Sequence, residues 1–484
     1  MEYKWKVLTN TTVATLMSSI DGNIVLISLP TIGRQLPGTN ATLLLWILLG
    51  YSLVTAVVLL NFGRLSDIFG RVRLYILGFA IFTGGSALCG LSQTGLELVL
   101  FRLVQAVGAG FLFSNSAAII TDAFPPNERG RALGVNQVSI VAGSVAGLVL
   151  GGFITSTIGW RWIFYVNVPI GLFATLRARA TLRELARPES TAKIDWAGNV
   201  VFAGGLAILL IGITLGALGQ VSETLALGLV GAGLALLVAF IFLELRERHP
   251  MLDLSLFRNR QFSASALAMF LNALARGAFA FILVFYLQGP PRFLSPLTAG
   301  LYLVPVSASL ATFGPVSGWL SDRFGPRPFL LAGLVVSGGG FVWLATIGPD
   351  ATFLQLFAPL ILVGSGMGLF AAPNRAAMMT AVPPTRRGVA SGTGITLVNT
   401  GATISLGVTL VIMSSALTRP EIQAIFLGTA TSGMAFTAGP QFLQAIHTIF
   451  LVSTALVLVA LVPAVLRGGR RTGPSEIPPP PAID

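Results

Sequence analysis

Asp21 stands about thirteen residues into an apolar run that extends from roughly Leu8 to Ile32, a stretch long enough to cross a bilayer. A carboxylate at that depth is costly to keep ionised, and intramembrane acids are functional by default. Desolvation raises its affinity for a proton, so a site that opens in turn to each side can load a proton and release it. The plainer alternative is a structural acid satisfied by Asn23 or by a helix terminus. Arg102 falls about one turn inside another apolar run. The two runs cross in opposite directions, which brings Arg102 to a depth comparable with Asp21. An arginine–carboxylate pair holds the acid ionised, and shifting the pair frees it for protonation. Otherwise Arg102 is an anchor whose head snorkels to the interface. Glu97, Asp122, Glu244 and Asp322 all fall at the ends of apolar runs.

The elements that must position these groups are announced by an internal echo. Gly63-Arg64-Leu65-Ser66-Asp67-Ile68-Phe69-Gly70-Arg71 is repeated in degraded form by Gly318-Trp319-Leu320-Ser321-Asp322-Arg323-Phe324-Gly325-Pro326, 255 positions later. Pro125-Pro126-Asn127-Glu128-Arg129-Gly130 is echoed by Pro383-Pro384-Thr385-Arg386-Arg387-Gly388, 258 positions later. Two unrelated loops that share one offset imply a duplicated bundle, the architecture of a transporter. The offset carries Asp21 onto Arg276, so the repeats are expected to place opposite charges across one central cavity. That arrangement leaves room for anionic or zwitterionic solutes beside cations. Arg375 is the remaining arginine inside an apolar run, with its direction left open.

The first loop reads as a gate. Gly63 and Gly70 permit tight turns, Asp67 favours the amino end of a nearby helix, and Arg71, Arg129 and Asp322 complete the gating set. A topology anchor is the alternative. Gly143, Gly147, Gly151 and Gly152 form a ladder that lets two helices approach closely. Polar and aromatic residues within the spans are expected to line a cavity: Asn23, Trp46, Tyr51, Asn115, Asn136, Gln137, Asn272, Arg276, Tyr286, Gln288 and Asn399. For any one of them, packing or an interface position is the competing assignment.

Composition sets the class. Of 484 residues 54% are hydrophobic and only 10% charged, with a mean hydropathy of +0.83. A soluble domain carries about 25% charged residues, so this chain has too few to dress a surface facing water. The net charge of +12 does not point to nucleic acid. With the amino terminus inside and fourteen spans threaded, 23 Lys and Arg fall in inner loops and tails, four in outer loops and three in the membrane. That asymmetry predicts both termini in the cytoplasm. One cysteine and two distant histidines exclude a disulfide framework and argue against a metal site.

The expected fold is an all-α polytopic membrane protein: fourteen transmembrane helices as two parallel six-helix repeats plus an inserted helix pair. The units are 1–186, a six-helix bundle; 187–261, a two-helix hairpin with flanking cytoplasmic loops; 262–467, the second six-helix bundle; and 468–484, a disordered cytoplasmic tail. The sixth span is placed at 163–182, the ninth at 262–288 and the last at 445–467. Residues 414–444 read as a long external loop.

The loop at Gly63 to Arg71 resembles the loop after the second helix of the major facilitator superfamily, and the chain as a whole resembles its fourteen-helix drug:proton antiporter branch. Ile20-Asp21-Gly22-Asn23 through Pro30 is similar to that branch's first-helix motif. Leu98 to Gly110, with Arg102 and Gln105, is similar to the fourth-helix motif, and Gly143, Gly147, Gly151 and Gly152 to the antiporter motif of the fifth. Trp160 to Gly171, Asp195-Trp196-Ala197-Gly198 and Leu254 to Arg258 are typical of the branch. Two positions depart from it: the motif's Gly-Pro pair is Gly147-Leu148 here, and Ala106 follows Gln105 where glycine is expected.

The resemblance implies a major facilitator fold and proton-coupled efflux of lipophilic or cationic drugs across the plasma membrane by alternating access. Arg102 then takes part in proton handling. No cofactor beyond the proton gradient is implied, and the partners are a small-molecule substrate, protons and membrane lipids, with the chain expected to be a monomer. Export of an anionic or zwitterionic metabolite or lipid is the second reading, favoured by Arg276 and the missing proline. An enzyme is not expected, since no Ser/His/Asp, Cys/His or metal constellation is present. A scaffold gains nothing from buried charge.

Overall fold

The structure is a computed structural model. It describes residues 2–125, 128–185, 195–247, 250–290, 292–383, 386–430 and 432–466, with side chains throughout except at 60, 61, 63, 64, 67, 130, 387, 388 and 432–438. The predicted tail at 468–484 lies outside the described residues.

The first half comprises α1 (Tyr3–Gln35), α2 (Ala41–Phe69), α3 (Arg71–Leu91), α4 (Gly95–Ala123), α5 (Arg129–Thr157), α6 (Trp162–Tyr165) and α7 (Asn167–Thr181). A hairpin of α8 (Trp196–Ala217) and α9 (Glu223–Arg246) follows. The second half comprises α10 (Arg260–Arg276), α11 (Phe279–Gln288), α12 (Pro296–Phe324), α13 (Pro326–Leu344), α14 (Phe353–Thr380), α15 (Arg387–Ala416), α16 (Arg419–Phe426) and α17 (Ser432–Leu466). Helices that are apolar on all sides satisfy their backbone internally, which is what a hydrocarbon environment demands. Several of them start on a short polar cap. The Asn40 side chain accepts from Leu43 N at 2.8 Å, and Thr352 and Gln355 form a reciprocal capping box.

Among the described residues thirteen helical stretches are long and apolar enough to span a membrane. The sixth predicted span is not one helix: α6 and α7 divide it at Val166, and neither piece reaches spanning length. The ninth breaks at Gly277 and Ala278, between α10 and α11. The expected loop at 414–444 is corrected too, since it holds α16 and the first turns of α17.

The duplication appears as a repeated packing pattern. In the first half α1 packs on α5, α2 and α3 on α4, and α3 on α7; in the second, α10 packs on α15, α12 and α13 on α14, and α13 on α17. Gly70 (φ 100°) and Gly325 (φ 80°) stand 255 positions apart, each the single residue between two helices, in a conformation that favours glycine. The loop expected at 63–73 is therefore mostly helix. Gly63 continues α2 and makes no turn, and the hinge is Gly70 alone.

The halves meet at the end opposite the face where α1 begins and α17 ends. There, a Cβ on Gly152 would lie 2.5 Å from the Pro296 carbonyl oxygen of α12, and one on Gly300 would strike the Leu148 carbonyl oxygen of α5. Gln288 Nε2 donates across the halves to Ile27 O at 2.8 Å. The short helix α16 plugs the same end. Phe426 is fully buried against Phe281 and Phe285, and the backbone of Leu427 rests on Gly33 of α1. At the terminus-bearing face α5 and α12 part: on the stripes that continue these contacts, Gly134 and Gln137 of one and Ala311, Pro315 and Asp322 of the other are exposed.

Replacing Gly300 or Gly152 by Leu should push this crossing open. Spin labels at Thr157 and Thr346 should then report a longer mean separation than in the parent. An unchanged distribution would mean that the α5–α12 contact does not hold this end shut.

Candidate functional site

Asp21 and Arg102 meet in the core of the first half, both fully buried. Arg102 donates through one terminal nitrogen to Asp21 Oδ2 at 2.6 Å and to Gln105 Oε1 at 2.6 Å. The Gln105 amide in turn donates to Asp21 Oδ1 at 2.8 Å and to Ser86 Oγ at 2.6 Å. Asn167, the first residue of α7, is the third donor to the carboxylate, reaching Oδ1 at 3.0 Å. The guanidinium lies 4.0 Å from the ring centroid of Tyr51, while the Tyr51 hydroxyl is buried without a partner among the described residues.

Taking two charges out of water costs several kcal/mol each, and only close pairing with further hydrogen bonds repays it. Donors from α4 and α7 converge on a carboxylate of α1, and Ser86 of α3 accepts from one of them, which is how this site meets that demand. Packing holds the donors in place. Gly85 of α3 lies against the backbone of Gln105, where a Cβ would come within 2.8 Å of the Gln105 Cα. The glycine ladder brings α5 onto the opposite side of α1: Cβ atoms on Gly143 and Gly147 would lie 2.8 and 2.6 Å from the carbonyl oxygens of Leu16 and Ile20. Gly151 packs on Ile24 and Ile27, whereas Gly152 turns to α12.

Opposite charges across a central cavity are not found. Asp21 is sealed inside the first half by Arg102, while Arg276 is half-buried in the second half and near Arg375. The other expected cavity residues are dispersed. Trp46 donates to Thr214 of α8 at 3.3 Å, Asn136 to Thr15 of α1 at 2.7 Å, and Asn23 to Ser19 O of its own helix. Asn115 is buried and donates to Phe111 O, Tyr286 is fully buried and donates to Gly348 O at 2.8 Å, and Gln288 belongs to the closed end, so these three are packing groups. Gln137 is exposed, Asn399 half-buried, and Asn272 buried with its amide unpartnered among the described residues.

The gating set is also redistributed. Arg71 pairs with Asp122 at 2.8 Å, and the Glu184 carboxylate accepts the amides of Arg71 and Val72 at 3.0 Å each, capping α3. Arg129 donates to Phe124 O at 3.0 Å, and Asp322 is exposed. Gly63 and Asp67 lie in α2, and the side chain of Asp67 is outside the described ones. Sequence reasoning missed Ser86 and Glu184 altogether, and it noted Gln105 and Asn167 only within motifs. Glu184 had one signal, an acid set between Arg183 and Arg187 in a stretch of basic residues.

The family model for the Major Facilitator Superfamily matches residues 11–200 and 265–482. The chain belongs to the major facilitator superfamily. Among its relatives in that superfamily, the riboflavin transporter RibZ of Clostridioides difficile (strain 630) is 33% identical over 80% of this chain and 83% of that protein. A multidrug resistance protein B homolog of Mycobacterium tuberculosis (strain H37Rv) is 30% identical over 93% and 87%. A bacterial homolog of the human lysosomal transporter Spinster, solved inward-facing and unoccupied, superposes with a TM-score of 0.66 at 18% identity, covering 96% of each chain, and shares the major facilitator fold. The chain is a multi-pass membrane protein of a transporter superfamily.

Either Asp21→Asn or Arg102→Gln leaves one buried charge uncompensated and should cost about 3–5 kcal/mol of stability. The double variant should lose less than the sum of the two, with a coupling of about 0.5–3 kcal/mol. Thermal unfolding in detergent micelles measures this cycle. Simple additivity would show that the two side chains do not act as a pair.

Proposed function

We propose that this chain is a proton-coupled exporter of amphiphilic small molecules, working by alternating access in the plasma membrane as a member of the fourteen-span branch. In this reading both termini are cytoplasmic, α6 with α7 makes the sixth span, and α8–α9 is the inserted pair. The parted face is then the cytoplasmic one, so the structure corresponds to an inward-facing state. Multidrug-resistance relatives at about 30% identity support efflux, and the riboflavin transporter widens the range of cargo to be considered. Protons and lipids are the remaining partners, the working unit is a monomer, and the proton gradient is the only energy source required.

The observation that carries the reading is the sealed Asp21–Arg102 pair. In this state Arg102 is the counter-ion of Asp21, and no proton is needed to neutralise the acid. If the halves rock so that α1 and α4 shift, the pair lengthens and the isolated carboxylate takes up a proton from the outside instead. Return to the present state restores Arg102 to the carboxylate and expels the proton inward. Proton and arginine compete for one acid, which links its charge state to the direction of opening. Among the described side chains Asp21 is the one carboxylate deep within the membrane spans, so no second acid there offers the same exchange.

Purified protein in liposomes with an imposed pH gradient tests this. Adding a transported amphiphile should change lumenal pH in the parent, and Asp21→Asn should abolish the change. Substrate flux that persists unaltered in Asp21→Asn would rule out Asp21 as the coupling group.

A further inference from the structure

Resting on that exporter reading, we propose that Arg276 and Arg375 form the substrate's charge-binding site and that the substrate is an organic anion, a carboxylate or phosphate on an apolar body. Both arginines lie within membrane-spanning helices of the second half, and neither has a hydrogen bond or ion pair among the described residues. Arg375 is close enough for its charge to act on Arg276.

Helix geometry explains the approach. The two helices run in opposite directions, and side chains lean toward the amino end of their own helix. Arg276 therefore leans toward the terminus-bearing face and Arg375 away from it, so the two heads converge. On α10, Ser265, Met269, Asn272 and Arg276 share one stripe. Its lower part faces α14, where Asn374 donates to Ser265 O at 3.0 Å and Met269 and Met378 share a cluster. On α14, Gly364 and Gly368 face α12 while Asn374 and Met378 face α10. Arg375 continues the Gly364–Gly368 stripe two turns further on, beside the edge that faces α10, and is exposed. It thus points away from α13, which packs on the other side of α14 through Gly333, Gly340 and Gly366.

Asn272 lies one turn below Arg276 and is 5% exposed, with its amide unpartnered among the described residues. The half-buried Arg276 guanidinium and the buried free amide donor of Asn272 are costly unpartnered, and the two guanidinia repel each other. An anion bridging them relieves both costs, and guanidinia suit carboxylate and phosphate oxygens by geometry as well as charge. A cation meets only repulsion here, because the one deep carboxylate among the described side chains is sealed behind Arg102 in the other half.

The test is calorimetric titration of the full-length protein in detergent, with no pH gradient. Naphthalene-1-acetate and 1-naphthyl phosphate are compared with naphthalene-1-methylammonium, which carries the same ring and the opposite charge. At least one anion should bind and the cation should not, and whichever anion binds tighter identifies the headgroup. Arg276→Gln and Arg375→Gln should each weaken anion binding roughly tenfold. Both variants should melt no lower than the parent, since neither change strands a partner. Calorimetry without a pH gradient reads binding alone while the liposome assay reads coupling, so a failure of proton coupling and a failure of this site give separate signatures. Binding of the cation as tight as the anions, no binding of either anion, or anion affinity unchanged in both arginine variants would overturn the proposal.

Discussion

A carboxylate and a guanidinium are paired where almost nothing else is polar, and the first half of the molecule is organised by that constraint. The pair is tolerable only with a complete set of hydrogen bonds. Gln105, Asn167 and Ser86 come from three different helices to complete it. Each of those helices must approach to within side-chain reach, and the small residues at their crossings allow it. Gly85 brings α3 onto Gln105, and Gly143 and Gly147 bring α5 onto α1 on either side of Asp21 along the chain. The glycines read as packing and the charges read as mechanism are parts of one arrangement, in which steric closeness keeps the ion pair short.

The two halves share a backbone plan and diverge in electrostatics. Gly70 and Gly325 occupy equivalent hinges, and the packing order repeats. Yet position 21 is an acid sealed against Arg102, and its counterpart is Arg276, with Arg375 nearby and no carboxylate paired with either among the described residues. One half pairs its central charges, while the other leaves Arg276 half-buried and Arg375 exposed. On the proposed reading the duplicated scaffold separates a site that trades a proton from a site that trades a solute. The halves touch through α5 with α12 and α2 with α15, which lets a tilt of one against the other reach both sites.

Much of this was legible in the residues. The nearly equal offsets of two loops, 255 and 258 positions, gave the duplication, because hinge glycines cannot drift far without breaking a turn. Asp21 and Arg102 stood out since ionisable residues in apolar runs are rare. Their partners were harder to see. Gln105, Ser86 and Asn167 are ordinary polar residues, and a helix that is apolar on all sides gives no period from which to tell which neighbour a side chain faces. The same lack of phase put Asn115 and Tyr286 in a cavity when packing claims them, and it left the direction of Arg375 undecided. Hydropathy placed the spans but missed their breaks, at Val166 and at Gly277–Ala278, and it missed α16, whose buried Ile422, Ile425 and Phe426 close the far end.

The account stands or falls on whether the charge state of Asp21 follows the direction of opening. Infrared difference spectroscopy of the protonated carboxyl stretch, assigned by its loss in Asp21→Asn, reads that state directly. With the α5–α12 end held shut by a covalent cross-link, the account predicts no Asp21 carboxylic acid band on mild acidification, and its appearance once the cross-link is cut. A band already present in the cross-linked protein, or absent in both forms, would contradict the exchange of arginine for proton at this acid.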